Sequence, residues 1–166
     1  KMFRLILLTC LVASISAQST QVAQCTNNPG EQPINTHIDG CTTPPCDLPQ
    51  LQDAVINIKF RAPRNMRVMK TLATMYITIG VMTIPFPYDL GPNAITCNFL
   101  TNTFCPVLEG KIIQYTLKMY IDPLFAVGTR VNIEFKVVDD SNAPVFCFRT
   151  GIRVVPPVNS TLAIDV

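Results

Sequence analysis

Few side chains in this sequence could do acid–base or metal chemistry, and their spacing assembles none of it. His37 is the only histidine, and it sits in a cysteine-rich N-terminal stretch. The carboxylates Asp139 and Asp140 run straight into Ser141-Asn142, a setting in which Asp bonds its own backbone at a turn instead of sharing a catalytic proton. No G-x-S-x-G, phosphate-binding loop or dinucleotide fingerprint is present, so the nucleophile, base or phosphate cradle of an enzyme is missing. Neither enzymatic activity nor a cofactor is expected.

The cysteines carry covalent chemistry instead. Lys1-Met2-Phe3-Arg4 leads into the apolar stretch from Leu5 to Ala17, which reads as a secretory signal peptide over residues 1–17. Cys10 leaves with it, and Cys25, Cys41, Cys46, Cys97, Cys105 and Cys147 remain. An even count in an oxidising compartment reads as three disulfides, for which about 15 pairings exist. Spacing favours Cys41 with Cys46 and Cys97 with Cys105 as local closures, which leaves Cys25 with Cys147. Closing so long a loop stabilises by about 5 kcal/mol in the chain-entropy model. A zinc site would need more histidine or a C-x-x-C pair, and the sequence has neither; no metal is expected.

Without Lys1 and Arg4 the chain carries 11 basic against 11 acidic residues. No Lys/Arg run makes the basic face that nucleic acid requires. The roughly 150 residues left after the leader are enough for one domain with a sizeable core, and nothing in them reaches the length of a transmembrane helix.

The elements that would position these residues are strands. Alternation of apolar and polar residues marks 54–60, 67–84, 112–121 and 131–137, with a last strand over 145–155 stopped by Pro156-Pro157. In the long 67–84 run, Gly80 reads as a bend or bulge. Polar positions Asn132, Glu134 and Lys136 are expected to face solvent. Such strands build an antiparallel sandwich. Its core could be solid or could leave a gap between the sheets, and composition does not decide between them.

Two loops are more apolar than solvent would favour. Pro85 and Pro87 hold Phe86 in a stiff, extended segment that belongs at a sheet edge or end. The segment 120–128, with Ile121, Pro123, Leu124, Phe125 and Val127, repeats the theme. Phe86, Ile121 and Phe125 would then either plug one end of the sandwich or rim an apolar pocket.

The residues together resemble the ML-domain lipid-recognition family, most closely its soluble, secreted Niemann-Pick type C sterol-carrier branch and the mite group-two allergens. The resemblance runs from Cys25 to Val155 through Asp39-Gly40-Cys41-Thr42-Thr43-Pro44-Pro45-Cys46-Asp47-Leu48, Ile56-Asn57-Ile58-Lys59-Phe60, Ile84-Pro85-Phe86-Pro87 and Cys105-Pro106-Val107. It continues with Lys111 and Tyr115, Val138-Asp139-Asp140 and Phe146-Cys147-Phe148.

The resemblance implies an all-β, immunoglobulin-like antiparallel β-sandwich of two sheets and about seven strands, with three disulfides in the pairing above. It implies a lipid cavity between the sheets, in a domain over 18–155 followed by a tail over 156–166. Carried over, Pro85, Phe86, Pro87, Ile121 and Phe125 form the pocket mouth. Ile58, Phe60, Met75, Ile77, Tyr115, Leu117, Ile133, Phe135, Phe146 and Phe148 are the expected lining. Where the sterol carriers have Trp after the last cysteine this chain has Phe148, so a pocket of its own shape is expected.

The implied function is binding and transfer of a sterol or related lipid. The alternative is recognition of microbial lipid such as lipopolysaccharide, or carriage of fatty acids or semiochemicals. The implied partner is a membrane sterol transporter or lipid receptor, and the implied state a monomer, either secreted or in the endolysosomal lumen. Asn159-Ser160-Thr161 is the one N-glycosylation acceptor.

Overall fold

A computed structural model describes residues 18–26 and 30–158. The expected leader over 1–17, Asn159 and most of the tail lie outside the described residues.

Among the described residues eight strands form two sheets, against the about seven expected. They are β1 (Asn35–Ile38), β2 (Cys46–Pro49), β3 (Asp53–Arg61), β4 (Met69–Ile79), β5 (Met82–Tyr88), β6 (Ile112–Tyr120), β7 (Arg130–Asp139) and β8 (Pro144–Val155). The smaller sheet runs β1-β3-β6 and the larger β2-β8-β7-β4-β5. Every pairing is antiparallel except β2 on β8, which is parallel. β1 and β2 are four residues each, too short for alternation to reveal.

The apolar run over 67–84 is not one strand. It breaks at Gly80, whose φ of +61° is a left-handed conformation that residues with a side chain seldom adopt, and the chain reverses into β5. Pro85 and Pro87 pair with Tyr76 and Thr74 on β4, so the P-F-P segment is an edge strand. Residues two apart point their N side the same way. Both prolines therefore place their missing N–H on the open side of β5, while Phe86 keeps its own for the ladder.

The inward faces meet in a core that includes Ile38, Ile56, Phe60, Met69, Leu117, Val137 and Ile152. Within it Phe60 lies 4.7 Å from Phe146 and Phe135 lies 5.3 Å from Phe148, centroid to centroid. Each buried side chain of this size contributes about 1.5–3 kcal/mol from water exclusion.

The N-terminal segment pairs along the edge of β8 and, at Cys25 and Thr26, crosses onto the outer face over Cys147 and Glu134. Ala23 bridges Arg149, and Cys147 donates its N–H to the Glu31 carbonyl. The same cover corrects the expectation for Glu134. Although it alternates outward, only 3% of it is exposed. Its carboxylate accepts from the Thr26 N–H at 3.0 Å and the Tyr76 hydroxyl at 2.8 Å, with the Arg149 guanidinium 3.9 Å away.

The disulfides are Cys25–Cys147, Cys41–Cys46 and Cys97–Cys105. The first ties the N-terminal segment to β8 across 122 positions of sequence. Two short 3-10 turns, Gly91–Ala94 and Thr96–Phe99, close the side of the sandwich between β4 and β6.

Candidate functional site

β4 and β6 run side by side on opposite sheets toward the same end of the sandwich. There the inward positions Met75, Met119, Ile133 and Val154 face one another across a small void with no polar lining. Ile121 and Phe125 close it from the loop after β6, and Tyr88 closes it from β5.

The loop takes its shape from local bonds. Asp122 accepts the Leu124 N–H at 2.8 Å with its side chain and the Phe125 N–H at 3.1 Å with its carbonyl. Gln50 donates to the Phe125 carbonyl at 2.6 Å. Phe125 is thereby turned inward, 6.1 Å from the Tyr88 ring, while Leu124 is left 89% exposed.

Tyr88 spans the two sheets. Its hydroxyl donates to the Tyr120 carbonyl, which joins the edge of the larger sheet to the edge of the smaller. Burial, with the charges of Asp122, Asp89 and Asp53 around it, raises the phenol above its ordinary value. The group therefore stays a donor at any physiological pH.

Farther in, three hydroxyls meet. Thr71 Oγ1 lies 2.8 Å from Thr96 Oγ1 and 2.7 Å from the Tyr115 hydroxyl, and all three residues are buried. Burial pushes the Tyr115 phenol up to about 12, more than its bonds to Thr71 and Thr96 lower it.

The expected mouth and lining residues fall into three groups. Met75, Ile121, Phe125 and Ile133 line the void. Ile58, Phe60, Tyr115, Leu117, Phe135, Phe146 and Phe148 lie buried in the core but not around the void. Phe86 shares the inward face with Met75, its register partner, yet is 42% exposed beside the void. Ile77 is half-buried beyond the point where β7 stops pairing with β4, and Pro85 and Pro87 stand exposed on the outer face.

Sequence reasoning missed Tyr88, Met119, Val131, Ile152 and Val154 as lining. Period-two counting already placed the last four on inward faces. Tyr88, two residues after Phe86, falls on the same face once the segment is read as a strand.

The residues first considered for chemistry stay apart. His37 lies on the outer face of the smaller sheet, 3.5 Å from Asp39. It borders an open, polar groove of ≈ 420 Å³ with Asn35, Asn57 and Gln114, a surface suited to water and not to an apolar ligand. Asp139 is taken up by its turn, where it accepts from the Ser141 and Ala143 N–H groups and from Arg64. Burial would raise its pKa, but hydrogen bonds from the Ser141 side chain, Arg64 and the Ala143 and Ser141 backbone outweigh this and hold it at about 2. Glu134, Cys25 and Cys147 place potential ligand atoms within 4.8 Å of one another, but the two sulfurs are bonded to each other and offer no thiolate.

Among the described residues no helix is long and apolar enough to cross a membrane. The chain is 25% identical to the bovine (Bos taurus) NPC intracellular cholesterol transporter 2 over 118 residues, 71% of this chain and 74% of that protein. It is 21% identical to the zebrafish (Danio rerio) protein of the same name over 150 residues, 90% of this chain and 95% of that one. Its fold resembles the crystal structure of a Niemann-Pick type C2 protein from the Japanese carpenter ant, with a TM-score of 0.63 and 12% identity, covering 81% of this chain and 98% of that one. The ML-domain family model matches residues 19–154, and with the two-sheet fold and its three disulfides this shows that the chain belongs to the ML-domain family.

Proposed function

We propose that this protein carries a small, poorly soluble lipid of the sterol class between its sheets, without covalent chemistry. The supporting observation is the apolar void at the Tyr88–Phe125 end, bounded by both sheets and closed by loops instead of by the core. The names of the bovine and zebrafish relatives point to cholesterol as cargo.

The void measures ≈ 20 Å³, whereas ligand pockets run from roughly 300 to 1,000 Å³. In this reading loading parts the sheets at this end. Burying roughly 300 Å² of ligand surface returns about 7 kcal/mol. That exceeds the about 1 kcal/mol for breaking the Tyr88 hydrogen bond.

In this reading Phe86, Ile121 and Phe125 guard the entrance, with Pro85 and Pro87 stiffening it. The protein works as an exported monomer, outside the cell or in the endolysosomal lumen, and delivers its cargo to a membrane sterol transporter or lipid receptor. Native mass spectrometry after incubation with sterols and fatty acids tests the proposal. A retained sterol is expected, and retention is lost in Ile133→Trp, where the indole fills the gap. Absence of any bound lipid from the wild type overturns the proposal.

A further inference from the structure

We infer that Thr71, Thr96 and Tyr115 form a floor in the gap between the sheets and set the length of hydrocarbon chain this protein accepts; the inference rests on the lipid-carrier reading above. Thr71 lies four residues before Met75 on β4, and Tyr115 four before Met119 on β6. At 3.3 Å per residue both strands place the hydroxyls about 13 Å below the void. Thr71 and Tyr115 point inward from opposite sheets, and their bond, 2.7 Å long, spans the space a longer ligand would have to enter.

The floor is fixed on both sides. Thr96 precedes Cys97, whose bridge to Cys105 holds the segment. Backbone bridges Lys70↔Ile95 and Leu100↔Tyr115 tie that segment to β4 and β6. Phe146, level with Thr71, packs against Phe60 from the opposite sheet, while Phe135 and Phe148, one layer nearer the void, both stand on the larger sheet.

A chain end that pushed between Thr71 and Tyr115 would leave hydroxyls facing methylenes. Each buried hydroxyl stripped of its partner weakens binding by about 5- to 150-fold. Each added methylene strengthens it by only about fourfold. Two stranded hydroxyls outweigh the first methylenes to arrive, so the chain stops above them. The cluster is neutral, because the Tyr115 phenol ionises only at about 12, and it offers a charged headgroup no counter-ion.

The test is an affinity series of unbranched alcohols of about 10 to 20 carbons, in which the wild type gains about fourfold per methylene and then stops gaining at a defined length. The shape-conserving variant Thr71→Val/Thr96→Val/Tyr115→Phe makes the deep end apolar, and its break moves to longer chains; Tyr115→Phe alone moves it less. Thermal unfolding confirms that each variant is folded, and Tyr115→Phe carries the comparison if the triple variant is not. A purely structural role moves the unfolding midpoint but leaves the break length unchanged. An unchanged break in the folded variants, or no break in the wild type, overturns the floor while leaving the carrier reading standing. Binding of no chain of any length overturns the floor, whereas the carrier reading falls only if the wild type also retains no sterol.

Discussion

Tyr88→Phe removes one oxygen and keeps the ring against Phe125, so it isolates the bond that joins the sheet edges at the mouth. A neutral hydrogen bond contributes about 0.5–1.5 kcal/mol net. Tyr88 is only half-buried, which places it in the lower half of that range, about 0.5–1 kcal/mol. If parting the sheets precedes loading and release, the open fraction rises by about two- to fivefold, and the rates of lipid entry and exit rise with it. Stopped-flow transfer of a fluorescent sterol between the protein and vesicles measures both rates. Thr83→Val is the control, because its bond to Thr78 stays within the β4–β5 hairpin and spans no gap; its rates are expected to match the wild type. Transfer by Tyr88→Phe that is unchanged or slower than wild type refutes the latch, and with it the idea that this edge is where the sandwich opens.

Phe86→Asp puts a charge on the inward-facing rim position beside Met75 and is expected to weaken lipid retention by tenfold or more, on the order of the 1–3 kcal/mol that desolvating a polar group costs; equilibrium binding checks it. Asp139 has a folded pKa of about 2 against an ordinary 3.8, so its contribution of about 2 kcal/mol is complete above about pH 5 and is mostly lost as pH falls to about 2. Asp139→Asn should lower the unfolding midpoint at pH 7 and flatten its decline between those pH values. Cys25→Ser/Cys147→Ser releases a closure of 122 residues and should cost about 5 kcal/mol, read by denaturant titration. Glu134→Ala removes the acceptor of the Thr26 N–H and Tyr76 hydroxyl and the carboxylate beside Arg149, which keeps its bond to the Thr26 hydroxyl and its place over the Tyr76 ring. About 2–3 kcal/mol of stability should be lost, together with amide-exchange protection at Thr26.

β3, β6 and most of β4 were legible because each has one wet and one dry face. Alternation over β3, β6 and β7 is a local property that any register preserves. What was not legible depends on contacts between distant segments. Glu134 reads as a solvent position until the N-terminal segment, pinned by Cys25, is laid over it. Thr71 reads as an unremarkable polar residue until Tyr115, 44 positions away, arrives from the other sheet. The β4–β5 hairpin was hidden because Gly80 interrupts a run that is apolar on both sides, and two prolines disguise a strand. The P-F-P segment lies next to the apolar void without lining it, and the ring from that strand that does line it belongs to Tyr88 two residues on.

In the proposed carrier reading, opening at this edge exposes a strand that includes Ile84, Phe86 and Tyr88. An unprotected apolar edge is a template on which a neighbouring molecule can pair. Here Pro85 and Pro87 leave the outward side of β5 with no N–H to offer along that stretch. Two open molecules meeting at this edge find carbonyls but few donors. The same residues that stiffen the entrance thus allow the protein to be sticky toward lipid and inert toward itself, which bears on how concentrated it can become before it aggregates.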